Sequence, residues 1–231
     1  MRVKTKKYYG FTLVELLVVI SIIALLLSIL MPSLGRARGQ AKKVACGARM
    51  KQHGLGVGMY ANDYKGFLPP VISPVGWAWP ADAGSYWQVQ IAKAIGVKET
   101  IGNANMPTGP MWYCTQQSKH PTRPFASWYA MNTNLVIWNA QSAPNRITAV
   151  KASAVKQPAK IVFETDAVEH VITFDYDWPN WAYPRFAGKK VYVDDPRHLG
   201  QCNILWVDLH SSSLARKDFM TNSSVWAPKS R

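Results

Sequence analysis

From residue 11 to residue 31 the chain presents one apolar run in which Glu15 is the only charge. At 1.5 Å per residue a helix over this run spans roughly 30 Å, the thickness of a hydrocarbon core, and the run exceeds the roughly 7–15 residues of a secretory h-region. A weak small-x-small site at Ser33, Leu34 and Gly35 makes conventional cleavage the lesser reading. Beyond the run the pattern changes. Ala37, Ala41, Val44, Ala45, Ala48, Leu55 and Met59 recur at three- and four-residue steps with Arg and Lys on the other side, which predicts a helix continuing to about residue 64. Gly54, Gly56 and Gly58 each cost such a helix roughly 1 kcal/mol relative to Ala, so some bending is expected there, and Gly66 supplies a stop. Residues 67–125 are broken by Pro69, Pro70, Pro74, Pro80, Pro107 and Pro110 and read as loops around one short helix at 86–95. Strand-like runs follow at 128–132, 161–166, 171–174, 191–193 and 202–207, with an aromatic loop over 175–190. A long helix followed by strands predicts an α+β fold with an antiparallel sheet.

Charge sharpens the reading of the apolar run. The net charge is +14, from 27 Lys and Arg against 13 Asp and Glu. Arg2, Lys4, Lys6 and Lys7 precede the run, and Arg36, Arg38, Lys42, Lys43, Arg49 and Lys51 follow it, with no acid in either flank. A nucleic-acid binder spreads such charge over a folded face interleaved with aromatics. Here most of the excess brackets one apolar segment, so the expected partner is a lipid bilayer and no nucleic acid. Counting Lys and Arg alone would put the following head in the cytoplasm, because the second flank is the more basic. The basic face at 36–51 could lie on lipid phosphates or acidic neighbours, or could simply be solvated. No GxxxxGK[ST], HExxH, GxSxG or CxxC pattern occurs, so no catalytic function is expected.

Glu15 needs an explanation, because a carboxylate in a span costs on the order of 2.5–3.5 kcal/mol near its centre and less near an end. Cutting the chain after Gly10 would set Glu15 one turn from a new α-amino group, near the positive end of the helix dipole. Lys6, Lys7, Tyr8, Tyr9, Gly10, Phe11, Thr12, Leu13, Val14 and Glu15, with Pro32 further on, resemble the class III signal of type IV prepilins and type II secretion pseudopilins. The resemblance implies a leader at 1–10, a transmembrane helix at 11–32 kinked by Pro32, an amphipathic extension at 33–66, and a globular α+β head at 67–231. That is the pilin-like arrangement, a long helix packed on an antiparallel sheet. It also implies a prepilin peptidase that cuts between Gly10 and Phe11 and N-methylates Phe11. Glu15 would then match a neighbouring subunit's amino terminus during filament assembly. The implied setting is the bacterial inner membrane, spanned once, with the N-terminus cytoplasmic before cleavage and the head outside. The implied partners are pilin subunits, the peptidase and an inner-membrane assembly platform.

A second resemblance covers the tail. Arg197, His198, Gly200, Asn203, Trp206 and Asp208 are similar to the His-x9-Asp-Gly signature of a prepilin-like family, supported by Trp112, Tyr113, Cys114, Tyr129, Met131, Asn132, Pro158 and Lys160. Leu209 stands where that signature has Gly. A branched side chain is disfavoured at the positive φ of an Asp-Gly turn, so a longer turn using His210 and Ser211 is expected. His198 and Asp208 could meet beside the hairpin, and a structural hydrogen bond is the preferred reading over catalysis. Cys46 and Cys114 lie where the family often has cysteines, which makes them the implied disulfide pair in an oxidising compartment, with Cys202 as a small buried hydrophobe.

Two ligand questions remain. Asp175, Asp177, Asp194 and Asp195 offer hard oxygens of the kind calcium takes, but they match no ligand pattern, and solvated acidic loops are the preferred reading. No other cofactor is expected. Ten Trp and ten Tyr raise a rival function, a membrane-anchored glycan-binding protein using Trp77, Trp79, Trp178 or Trp181, against ordinary packing. An anchored hydrolase using His198 and Asp208 is the third reading.

Overall fold

In the computed structural model the residues described are 10–70, 87–97, 109–114, 129–132, 135–139, 146–166, 171–172, 198–215 and 217–218. Helix α1 runs from Leu13 to Asp63 with Pro32 inside it. Its start is a capping box. The Thr12 hydroxyl accepts from the Glu15 amide (3.3 Å) while Glu15 Oε2 accepts from the Thr12 amide (2.9 Å) and hydroxyl (2.7 Å). Its end is a Schellman turn. The Gly66 amide donates back to the Ala61 carbonyl at 2.7 Å, with Lys65 (φ 54°) in the left-handed position. Gly66 is therefore the residue after the left-handed cap, and Lys65 takes the conformation usually left to glycine.

The chain divides into two units, Met1–Ala41 and Lys42–Arg231. The boundary falls inside α1, neither at Pro32 nor at Gly66, because the last five turns of α1 supply one wall of the second unit's core. In the first unit the large apolar side chains of α1 are exposed throughout, Leu13 at 82% among them. Ser21 and Ser28 turn their hydroxyls onto the carbonyls of Leu17 and Leu25, so an apolar surrounding meets no unpaired hydroxyl.

In the second unit a five-stranded sheet has the order β5-β1-β4-β6-β7, with β1 at Tyr129–Asn132, β4 at Val162–Asp166, β5 at Val171–Ile172, β6 at Gln201–Trp206 and β7 at Ser211–Ala215. Four strands are antiparallel neighbours, as expected, and β5 adds to the edge in parallel with β1. A separate hairpin pairs β2 (Val136–Asn139) with β3 (Arg146–Ala149). Helix α2 is Trp87–Ala94, close to the expected 86–95. The expected strand at 191–193 lies outside the described residues.

The face of α1 that meets the sheet differs from the expected one. Cys46, Met50, His53, Val57 and Tyr60 are buried, whereas Val44, Leu55 and Met59 are exposed. The buried stripe includes a histidine, and the obvious apolar stripe points away. Gly54, Gly56 and Gly58 explain their own presence. A Cβ on Gly56 would stand 3.2 Å from Ile91 Cβ on α2, and a Cβ on Gly54 would stand 3.0 Å from Leu205 Cδ1. They let α2 and the β6–β7 hairpin approach the helix backbone, and α1 continues through them as one helix.

Candidate functional site

The N-terminal element places Gly10 and Phe11 just ahead of the helix, both exposed. Thr12 then caps the helix and Glu15 closes the box, both of its hydrogen bonds landing on the same oxygen, Oε2. The acid is thus held at the helix start, where the dipole favours negative charge. A capped helix start followed by an exposed apolar stretch long enough to span a bilayer fits a membrane-anchored protein. Residues 5–31 match the family model for the prokaryotic N-terminal methylation motif, so the chain carries a prepilin-type signal, and Gly10, Phe11 and Glu15 all lie within it. No curated protein and no solved structure matches the chain. The match ends at residue 31, so the tail signature rests on its residues alone.

The tail residues do not come together as expected. His198 precedes β6 and Asp208 follows it, and six residues of strand hold them on the order of 20 Å apart. Asp208 instead fastens its own turn: Oδ1 accepts from the His210 amide at 3.2 Å and lies 2.5 Å from His210 Nδ1. The turn does not extend through His210 and Ser211, since His210 pairs with Trp206 and Ser211 begins β7. The Trp206 amide donates to the His210 carbonyl and the Leu209 amide to the Trp206 carbonyl, and Leu209 takes φ 71°. A leucine therefore occupies the left-handed position of a three-residue hairpin loop, where glycine is usual.

His198 belongs to a buried polar cluster between α1 and the sheet. On β4, Glu164 and Asp166 are two residues apart and so share a face, opposite Met131 and Tyr129 of β1. On α1, Cys46 and His53 are seven apart and share the face above them. The result is two adjoining groups. In the first, His53 Nε2 donates to the Met111 carbonyl (3.1 Å), which leaves Nδ1 to share one proton with Glu164 Oε1 at 2.7 Å. Trp112 stacks on the imidazole at 4.7 Å, and Tyr129 and Trp87 meet it edge-on. Burial pushes the Glu164 carboxyl up, and His53 opposes this by charge and hydrogen bond. Both side chains are fully buried, so no substrate reaches them.

The second group joins the cysteines to His198. Cys46 Sγ and Cys114 Sγ lie 2.9 Å apart, and all three cysteines are buried thiols. The pair implied by the resemblance is thus brought together. His198 Nε2 stands 3.3 Å from Cys114 Sγ and 3.3 Å from Asp166 Oδ2, and Oδ2 also accepts from the Asn203 amide at 2.6 Å. Burial alone would favour the neutral ring, but hydrogen bonds that the imidazole makes to Asp166 and Cys46 outweigh it and lift the His198 pKa to about 9. Burial, with nearby Cys46, Asp166 and Cys114, also raises the Tyr129 phenol.

His53, Glu164 and Asp166 escaped the sequence reading. The available signal was Glu164-Thr165-Asp166 itself, two acids at same-face spacing in a strand otherwise as apolar as Ile161, Val162 and Phe163. Asp175, Asp177, Asp194, Asp195, Trp77, Trp79, Trp178 and Trp181 lie outside the described residues. The tryptophans whose side chains are described, Trp87, Trp112 and Trp206, are buried.

Proposed function

We propose that this chain is a non-enzymatic structural subunit of a filament of the type II secretion pseudopilus or type IV pilus kind. The reading is carried by the methylation motif over residues 5–31. Prepilin peptidase cuts after Gly10 and methylates Phe11, and the α1 span stays in the inner membrane with the head outside until an assembly platform adds the subunit to a filament. Two further observations support it. The span is uncovered within its own unit. Past it, Val44, Leu55 and Met59 keep α1 apolar on a face its own head leaves exposed, which suits the α1 helix of another subunit. In the filament Glu15 offers its charge to the methylated amine of a neighbour, compensating an acid that lipid would penalise.

Mass spectrometry of the N-terminal peptide of protein extracted from its native membrane tests this. N-methyl-Phe11 is expected. An intact Met1 would leave a plain anchor, and a start near Arg36 would leave a secreted domain, and either sinks the proposal.

A further inference from the structure

We propose that Cys46, Cys114 and His198 hold a zinc-class divalent metal ion, with the Asp166 carboxylate positioning the imidazole. This inference is independent of the filament reading and concerns only the unit Lys42–Arg231. The two sulfurs and the imidazole nitrogen lie within 4.8 Å of one another and are contributed by three separated segments: α1, the turn after residue 112, and the approach to β6. Asp166 Oδ2 faces the same Nε2 atom that faces Cys114.

Ligand chemistry selects the ion class. Two thiolates and an imidazole are soft to borderline donors, which suit zinc and not calcium. Binding releases the two thiol protons and the Nε2 proton that His198 shares with Asp166, and the two thiolates then balance the dication, so metal and sulfur together add no net charge. Tetrahedral zinc, with bonds of about 2.3 Å to sulfur and about 2.0 Å to nitrogen, sets sulfurs roughly 3.8 Å apart and sulfur and nitrogen roughly 3.5 Å apart. The Cys114–His198 separation of 3.3 Å is close to that, and the sulfurs at 2.9 Å need a small opening.

The alternative, a Cys46–Cys114 disulfide, accounts for two of the four groups. It leaves unexplained why an imidazole is buried against the sulfurs with a carboxylate on its same nitrogen. It also leaves unexplained the backbone that aims the imidazole: His198 (φ 52°) and Leu199 (φ 60°) are both left-handed, followed by Gly200 (φ 81°). Strain of this kind in consecutive non-glycine residues persists where the surroundings demand it.

The test uses the full chain extracted in detergent without reductant or chelator. Elemental mass spectrometry should find one zinc per chain, lost in Cys114→Ser and His198→Gln and kept in Cys202→Ser. Because the variants could misfold, the wild-type chain supplies a second readout. Stripping with chelator should lower Tm, and Co2+ should restore it with the visible absorption of a tetrahedral thiolate site. A chain lighter by two hydrogens, with Cys46 and Cys114 peptides cross-linked and no metal, would establish the disulfide and overturn the proposal. Thiols that bind neither zinc nor Co2+, or zinc retained in Cys114→Ser, would overturn it equally.

Discussion

Glu15 has two separable duties, one within its own chain and one proposed between chains. Within the chain it closes the capping box on Thr12, a duty that glutamine performs as well as glutamate. Glu15→Gln should therefore leave the helix start and Phe11 methylation intact while abolishing filaments, seen by electron microscopy beside an N-terminal mass measurement. Filaments at wild-type abundance in that variant would reduce Glu15 to a cap. Leu209 is the second residue whose place is decided by its surroundings. Its backbone is left-handed at φ 71°, yet its Cδ1 lies 3.1 Å from where a Cβ on Gly58 would be, so it packs on the helix in exchange for the strain. Leu209→Val puts a β-branched side chain at that φ and should cost about 2 kcal/mol in denaturant unfolding of the head. Leu209→Gly trades strain relief for lost packing and should stay within about 1 kcal/mol of wild type. The sequence made the positive φ at position 209 legible from the hairpin pattern. It did not show that leucine would accept it, because the compensation comes from a helix some 150 residues away.

At the scale of elements, α1 shows where periodicity succeeds and where it misleads. The helix, its length and its stop near residue 66 follow from local pattern alone. The buried face does not, since Ala, Val, Leu and Met mark a stripe that stays exposed while His53 and Cys46 are buried. Periodicity finds an apolar face but cannot say whether its own sheet or another molecule covers it. Likewise β7, the Ser-rich Ser211–Ala215, carries no strand signal and exists by pairing with β6. The second helix contact offers a sharp check. Gly56→Ala gains up to about 1 kcal/mol of helix propensity. It must also push against Ile91 Cβ, Ile95 Cγ2 and the Ile91 carbonyl within 3.2–3.4 Å. Overpacking against a backbone should win, with a net loss of about 1–2 kcal/mol by chemical denaturation. The contact between α1 and β4 is tested through its buried pair. His53→Leu leaves the Glu164 carboxyl without its partner and should cost about 3–5 kcal/mol. The double variant with Glu164→Leu should recover part of that loss, so a cycle showing additive losses would deny the coupling.

The whole molecule combines two different solutions to one problem, what to do with apolar surface. Among the described residues 10–41, every large apolar side chain is exposed within its own unit, the pattern of a segment whose apolar surface meets a bilayer or other chains. Residues 42–231 contain every core position that α1 contributes, Cys46, Met50 and Val57, together with the sheet, Trp87 and Trp112. The helix start, its cap and the methylation motif all lie before the boundary at Ala41. A chain of residues 42–231, directed to an oxidising compartment, should therefore be soluble and monomeric and unfold in one cooperative step, followed by near-ultraviolet circular dichroism of its buried tryptophans. The helix stretch it retains, 42–63, is too short to be stable alone, so its helicity should vanish in the same step as the tryptophan signal. Helical signal that melts separately would mean that α1 is not bound to the rest of its unit by the His53–Glu164 and Cys46–Cys114 contacts. A monomeric head from a chain that polymerises when residues 11–41 are restored would locate the assembly drive in the first unit.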